Sequence, residues 1–158
     1  MLGRPGSDRH QEKKPSADRD GQLRSTCVRR GFFSHFRSRH TGPIACEPRH
    51  PSWFTEAVAR LLSGYQVARV AADPPMAPGG DAPYAWEGLA YYRLHGSPRT
   101  YWSPYGAERV EPLARILEVS TAPERWCIFD NTASGAAIED AGELQELVRV
   151  GSSRPAPP

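Results

Sequence analysis

Four places in the chain set ionisable side chains directly behind a short apolar run. Glu47 and Arg49 follow Ile44-Ala45-Cys46, and Asp73 follows Val70-Ala71-Ala72. Arg93 and His95 close the run Ala90–Leu94, and Asp130 and Asn131 follow Trp126–Phe129. A carboxylate and an imidazole can pass a proton to and from a substrate when their surroundings set their protonation apart. Glu47, Asp73 and His95 are the candidates for that work, with Arg49, Arg93, Asp130 and Asn131 placed to position a ligand. The same carboxylates and imidazole would suit a divalent cation, but no tight ligand spacing marks a metal site. An ion-pair ring, Glu47–Arg93 or Asp73–Arg49, would use these residues without any chemistry. The residues identify no cofactor and no reaction.

Two further stretches carry binding potential. Thr132-Ala133-Ser134-Gly135-Ala136-Ala137 leads into a helical pattern. Small side chains at Thr132 and Gly135 would let backbone amides approach a phosphate at the positive helix end, with Arg93 and Arg99 adding charge. A plain strand-to-helix turn explains the same residues, and no complete Gly-rich nucleotide fingerprint is present. Tyr101, Trp102 and Tyr105 lie among Pro98, Arg99 and Pro104. They could stack on a base or sugar, or pack as a lid. Cys46 and Cys127 sit inside apolar runs and read as small buried hydrophobes.

The elements that must hold these groups alternate. Strand candidates span 44–47, 66–72, 90–94 and 126–129. Helical periodicity covers 30–39, the stretch from a Ser52 cap to Gly64, the region around Val110–Leu117, and 136–148. Pro112 should shorten or kink its helix. Strands apolar on both faces, alternating with helices, signal an α/β fold with a parallel sheet. Period-two alternation puts Arg93 and His95 on one face of their strand and Tyr92 and Leu94 on the other. In parallel barrels the residues just past the strands' carboxyl ends meet on one rim. Four strands are half of a (β/α)8 barrel, and 158 residues fall short of the ~200–250 that a complete one needs.

Charge is distributed unevenly. The whole chain carries 20 Lys/Arg against 18 Asp/Glu, a net of +2. Residues 1–40 hold ten basic and four acidic side chains, and residues 41–158 hold ten and fourteen. Residues 1–28 are too poor in large aliphatics to offset their ordering entropy and are expected to be a disordered basic segment. A basic arm for a polyanion is the alternative, so nucleic acid is not excluded, although Asp8, Glu12, Asp18 and Asp20 dilute its charge. Residues 29–150 form the expected half-barrel domain, and 151–158, with three prolines, a disordered tail. No run approaches the ~20 apolar residues of a membrane span. Cys27, Cys46 and Cys127 form no close pair, so a disulfide framework is not expected and a cytoplasmic location is the default.

The combination Glu47-Pro48-Arg49-His50-Pro51-Ser52-Trp53-Phe54, Ala72-Asp73-Pro74, Tyr91-Tyr92-Arg93-Leu94-His95-Gly96, Tyr101-Trp102-Ser103-Pro104-Tyr105 and Cys127-Ile128-Phe129-Asp130-Asn131-Thr132, with Gly135-Ala136-Ala137, resembles the carboxyl-terminal half of the domain of unknown function 72 (YecE-like) family. The likeness covers roughly residues 30–150. It implies a TIM-like barrel whose fifth to eighth strands are those read here, and it supplies no biochemical role. Nothing upstream of about Arg29 resembles the family's first four strands, which implies a truncated barrel. Two functions follow as expectations. One is a rim site for a phosphorylated or polyanionic small ligand. The other is a non-catalytic half barrel that works only with a partner, or self-associates through its open sheet.

Overall fold

The computed structural model describes residues 17–152, with side chains from 27 to 151. The elements follow in the order α1 (Ala17–Arg37), β1 (Ile44–Cys46), α2 (Glu56–Gly64), β2 (Val67–Arg69), β3 (Ala71–Asp73), β4 (Tyr84–Ala85), β5 (Leu89–Leu94), α3 (Ala107–Val119), β6 (Glu124–Phe129) and α4 (Ala136–Ser152). Short 3-10 turns occupy Pro51–Trp53 and Thr132–Ser134.

Parallel pairing dominates. β1 pairs with β2, β3 with β5, and β5 with β6, all in parallel. β2 and β3 are one run of chain broken at Val70, whose N–H reaches back to the Cys46 carbonyl at 2.9 Å. Pairing with β1 therefore ends where pairing with β5 begins. Four strand positions result, each beside its neighbour in sequence, as right-handed βαβ winding favours. This is the mixed α/β architecture with parallel strands that the alternation predicts.

Two apolar clusters fix the layers. On one side Val58 and Leu62 of α2 bury against Val67 of β2 and Phe33 of α1. On the other, Val110, Ala114 and Leu117 of α3 and Leu144 of α4 cover Tyr92 and Leu94 of β5. Each fully buried Val or Leu contributes about 1.5–3 kcal/mol, so these contacts dictate which strand face turns to the helices. α2 starts later than its sequence suggests: Thr55, not Ser52, caps it, its hydroxyl accepting from the Val58 N–H at 3.4 Å.

Several expectations are corrected. Residues 17–28 belong to the segment expected to be disordered, yet α1 begins at Ala17. Its docked half holds it: Phe33 is 3% exposed and the Arg29 guanidinium stacks on Trp53 at 4.3 Å. Once that half is nucleated, the Arg, Gln and Leu residues upstream propagate the helix readily. The rest of the segment expected to be disordered, residues 1–16, lies outside the described residues. α4 continues through Ser152, into the stretch expected as tail, and residues 153–158 lie outside the described residues. α3 runs through Pro112 as a 13-residue helix. Antiparallel β4, a two-residue partner of β2, was missed because it emerges from a Pro/Gly-rich loop with no strand periodicity. Trp126 is 53% exposed. Its register opposite Tyr91 turns it to the sheet face that none of the described helices covers.

Candidate functional site

Three strand ends bring their polar residues together. Glu47 lies one residue beyond β1, Arg93 and His95 at the end of β5, and Asp130 one beyond β6. Parallel register explains the meeting. Arg93 pairs with Ile128, so Asp130 shares its face, and Glu47 stands two residues after Ala45, which lines the same inner face as Tyr91 and Ile128.

Arg93 bridges the two carboxylates. Its Nη1 donates to Glu47 Oε2 at 2.8 Å, and its Nη2 and Nε donate to Asp130 Oδ2 at 2.9 and 3.1 Å. Arg49 adds a contact to Glu47 Oε1 at 2.9 Å from a more exposed position. The Arg93 guanidinium is held above its ordinary range, first by its hydrogen bond to Glu47, with Asp130 adding to it.

His95 is wedged between the same acids and is only 3% exposed. Nε2 lies 3.1 Å from Glu47 Oε1, and Nδ1 lies 3.0 Å from Asp130 Oδ2. Ionised carboxylates only accept hydrogen bonds, whereas a neutral imidazole offers one donor and one acceptor. Both contacts are hydrogen bonds only if a proton sits on each side of the ring. The imidazole is then doubly protonated, or one carboxyl holds the second proton. The Tyr101 ring meets His95 edge-on at 5.5 Å, and its backbone N–H donates to the His95 carbonyl. Tyr101 keeps a left-handed φ of 64°, which costs a non-Gly residue on the order of 1 kcal/mol. Among the described residues no group of metal-ligating side chains is placed to hold a metal ion; the two acids flank the ring on opposite sides instead of converging.

Asp73 does not join this cluster. It pairs in register with Leu94, so its side chain points to the helix side, where it takes Arg109 Nη2 at 2.5 Å. The expected Asp73–Arg49 pair is replaced by Asp73–Arg109, and the acid–base role expected of Asp73 has no geometric support beside His95. Asn131 and Tyr105 are also scaffold. Asn131 is fully buried, donating to the Ser103 carbonyl at 3.0 Å and to Asp140 Oδ2 at 2.7 Å. The Tyr105 hydroxyl accepts from the Gly96 N–H at 2.9 Å and donates to the Asp73 carbonyl at 3.1 Å. Burial pushes that hydroxyl's pKa up. Thr132 and Gly135 shape a closed turn, not an open cradle. The amides of Ala133, Gly135 and Ala136 already donate to the Tyr101 carbonyl, the Thr132 carbonyl and Ser134 Oγ. Arg99 is exposed and stacks on Trp102 at 4.4 Å, on the same loop as Tyr101.

Sequence reasoning missed Asp140 and Arg109. Asp140, 3% exposed, accepts from the N–H groups of Tyr105 and Gly106 as well as from Asn131. It thereby caps α3, whose own Gly106 has no side chain to do so. The signal was available: Asp140 falls on the apolar stripe Ala137, Leu144, Val148 of α4, where an acid needs a buried reason. Cys46 and Cys127 are half-buried, and burial pushes their thiols up to about 11 and about 12.

A parallel α/β unit with ionisable side chains gathered at the carboxyl ends of its strands is the class defined by this geometry. The family model for the protein of unknown function DUF72 matches residues 17–158, and the chain belongs to that family. Two solved structures are similar. One is a DUF72 family protein from Thermotoga maritima, with TM-score 0.60 and 23% identity, covering 76% of this chain and 51% of its own. The other is a DUF72 family protein from Enterococcus faecalis, with TM-score 0.61 and 22% identity, covering 76% and 52%. This chain spans about half the length of either. No curated protein matches it significantly. Among the described residues no helix is long and apolar enough to cross a membrane.

Proposed function

We propose that the chain forms the carboxyl-terminal half of a (β/α)8 barrel, and that its rim cluster binds a small anionic ligand while His95 holds a proton for it. The observation that carries this reading is the buried imidazole between two carboxylates at the strands' carboxyl ends. Arg49 and Arg99, both exposed on this rim, supply the charge for a phosphate or carboxylate. Asp130 Oδ1 is buried and lies 2.9 Å from His95 Nδ1, so Asp130 holds the ring and leaves ligand contact to the arginines. Calorimetric titration of the chain with inorganic phosphate and with a sugar phosphate tests it. Binding that weakens in Arg49→Ala and in His95→Ala supports the reading, and no heat with either compound at millimolar concentration removes it.

One observation favours a second reading. Glu47, Arg93, His95 and Asp130 satisfy one another almost completely, as a clasp that ties the β1 and β6 ends to β5 would. A clasp alone predicts that these substitutions lower stability and leave phosphate titrations silent.

A further inference from the structure

Tyr101 and Trp102 are 48% and 44% exposed, yet the backbone that carries them is fixed on both sides. The Tyr101 N–H donates to the His95 carbonyl, and its own carbonyl accepts from the Ala133 N–H at 3.0 Å. The Trp102 N–H donates to the Arg99 carbonyl at 3.1 Å, and its carbonyl accepts from Ser134 Oγ at 2.5 Å. Ser103 is held likewise, with its N–H on the Arg99 carbonyl at 2.9 Å and its carbonyl on the Asn131 amide at 3.0 Å. The positive φ of Tyr101 is kept within this frame, and residues held in sparsely populated backbone regions gather at ligand clamps. Rings presented to water on a fixed backbone lose little further freedom when a flat molecule stacks on them.

We infer that Tyr101 and Trp102 form a stacking platform for the base of a nucleoside monophosphate whose phosphate is held by Arg49 and Arg99. This rests on the anionic-ligand reading above and names the ligand's class. The choice follows from which groups of the rim are left to act. Each of the four oxygens of Glu47 and Asp130 lies within 2.9 Å of a nitrogen of Arg49, Arg93 or His95. Acceptors for the hydroxyls of a bare sugar are therefore already engaged. Arg49, Arg93 and Arg99 outnumber the two carboxylates before the imidazole is counted, a balance that suits a phosphate. Guanidinium donors and aromatic faces remain, and they adjoin, because Arg99 lies over Trp102 at 4.4 Å. The Tyr101 ring, 5.5 Å from that of His95, sets the platform beside the cluster. Every base has a π face, so stacking on such rings asks for a base without specifying which one.

Calorimetric titration of the full chain with adenosine monophosphate, ribose 5-phosphate and inorganic phosphate, at one salt concentration, tests it. Adenosine monophosphate binds on the order of tenfold tighter than ribose 5-phosphate, the gain expected of one stacked base, and quenches tryptophan emission. The double variant Tyr101→Ala, Trp102→Ala brings the two affinities together. Trp102→Phe keeps the preference and loses the quench, and circular dichroism checks that both variants fold like the parent. Equal affinities in the parent, or a preference that survives the double variant, would overturn the inference and leave the anion reading standing. Affinity for oligoadenylates that climbs with each added nucleotide would assign the platform to single strands and overturn it as well. Silence with all three compounds would remove the anion reading and the inference with it.

Discussion

Replacing Arg93 by Met removes one guanidinium and three hydrogen bonds of 2.8–3.1 Å while keeping the aliphatic stem. Glu47 and Asp130, with side chains 13% and 19% exposed, are left with His95 as their principal common partner. Charge-assisted hydrogen bonds contribute about 1.5–3 kcal/mol each when well buried, but the Arg93 side chain is 37% exposed. Water therefore screens the pairs and rehydrates what the substitution uncovers. Exposed pairs are worth about 0–1 kcal/mol and broken buried ones about 3–5; this half-buried bridge falls between, at about 2 kcal/mol. For a chain of this size that lowers Tm by about 4–8 °C. Urea unfolding followed by circular dichroism measures it, with Glu47→Gln and the double variant completing a cycle. Coupling is expected because the two residues share the bridge, so the double variant should cost less than the sum of the singles. An Arg93→Met chain within about 0.5 kcal/mol of the parent, the range of ordinary surface substitutions, would refute the reasoning.

Three other outcomes follow from the same geometry. Asp140→Ala strands the N–H groups of Tyr105 and Gly106 and the Asn131 amide, and should cost about 3 kcal/mol in the same urea assay; a neutral result would show that α3 does not need this cap. Thiol alkylation followed by mass spectrometry should label exposed Cys27 first. With burial raising Cys46 to about 11, only about one molecule in a thousand is thiolate there at pH 8, and its rate should climb about tenfold per pH unit up to that value; Cys46 reacting as fast as Cys27 at pH 8 would contradict the burial. Tyr101→Gly removes the ring over His95 and relieves the positive φ, so carbethoxylation of His95 should rise toward the rate of exposed His35. An unchanged rate would mean that Tyr101 is no lid.

Much of this was legible before any coordinates. The apolar runs ending in Glu47, Arg93, His95 and Asp130 announced the parallel strands, because burial on two faces and polarity at the tips leave few other arrangements. Asp73 misled because its strand is split at Val70, and register with Leu94 turns its carboxylate to the helix side. Asn131 looked like a ligand-binding residue because a polar side chain after a strand reads alike whether it faces solvent or Asp140. The lower half of α1 was hidden for a different reason: its helicity comes from Phe33 and Arg29 docking on α2 and the Pro51–Trp53 turn, which local composition does not report. Arg109 was invisible because its partner lies 36 residues away.

Nitrogen-15 NMR of the His95 ring addresses the central arrangement most directly. Two slowly exchanging, low-field protons are expected, one toward Glu47 and one toward Asp130. Glu47→Gln should perturb the Nε2 side first, and Asp130→Asn the Nδ1 side. A ring whose protons exchange freely with solvent, indifferent to either substitution, would show that the three strand ends do not meet around that imidazole.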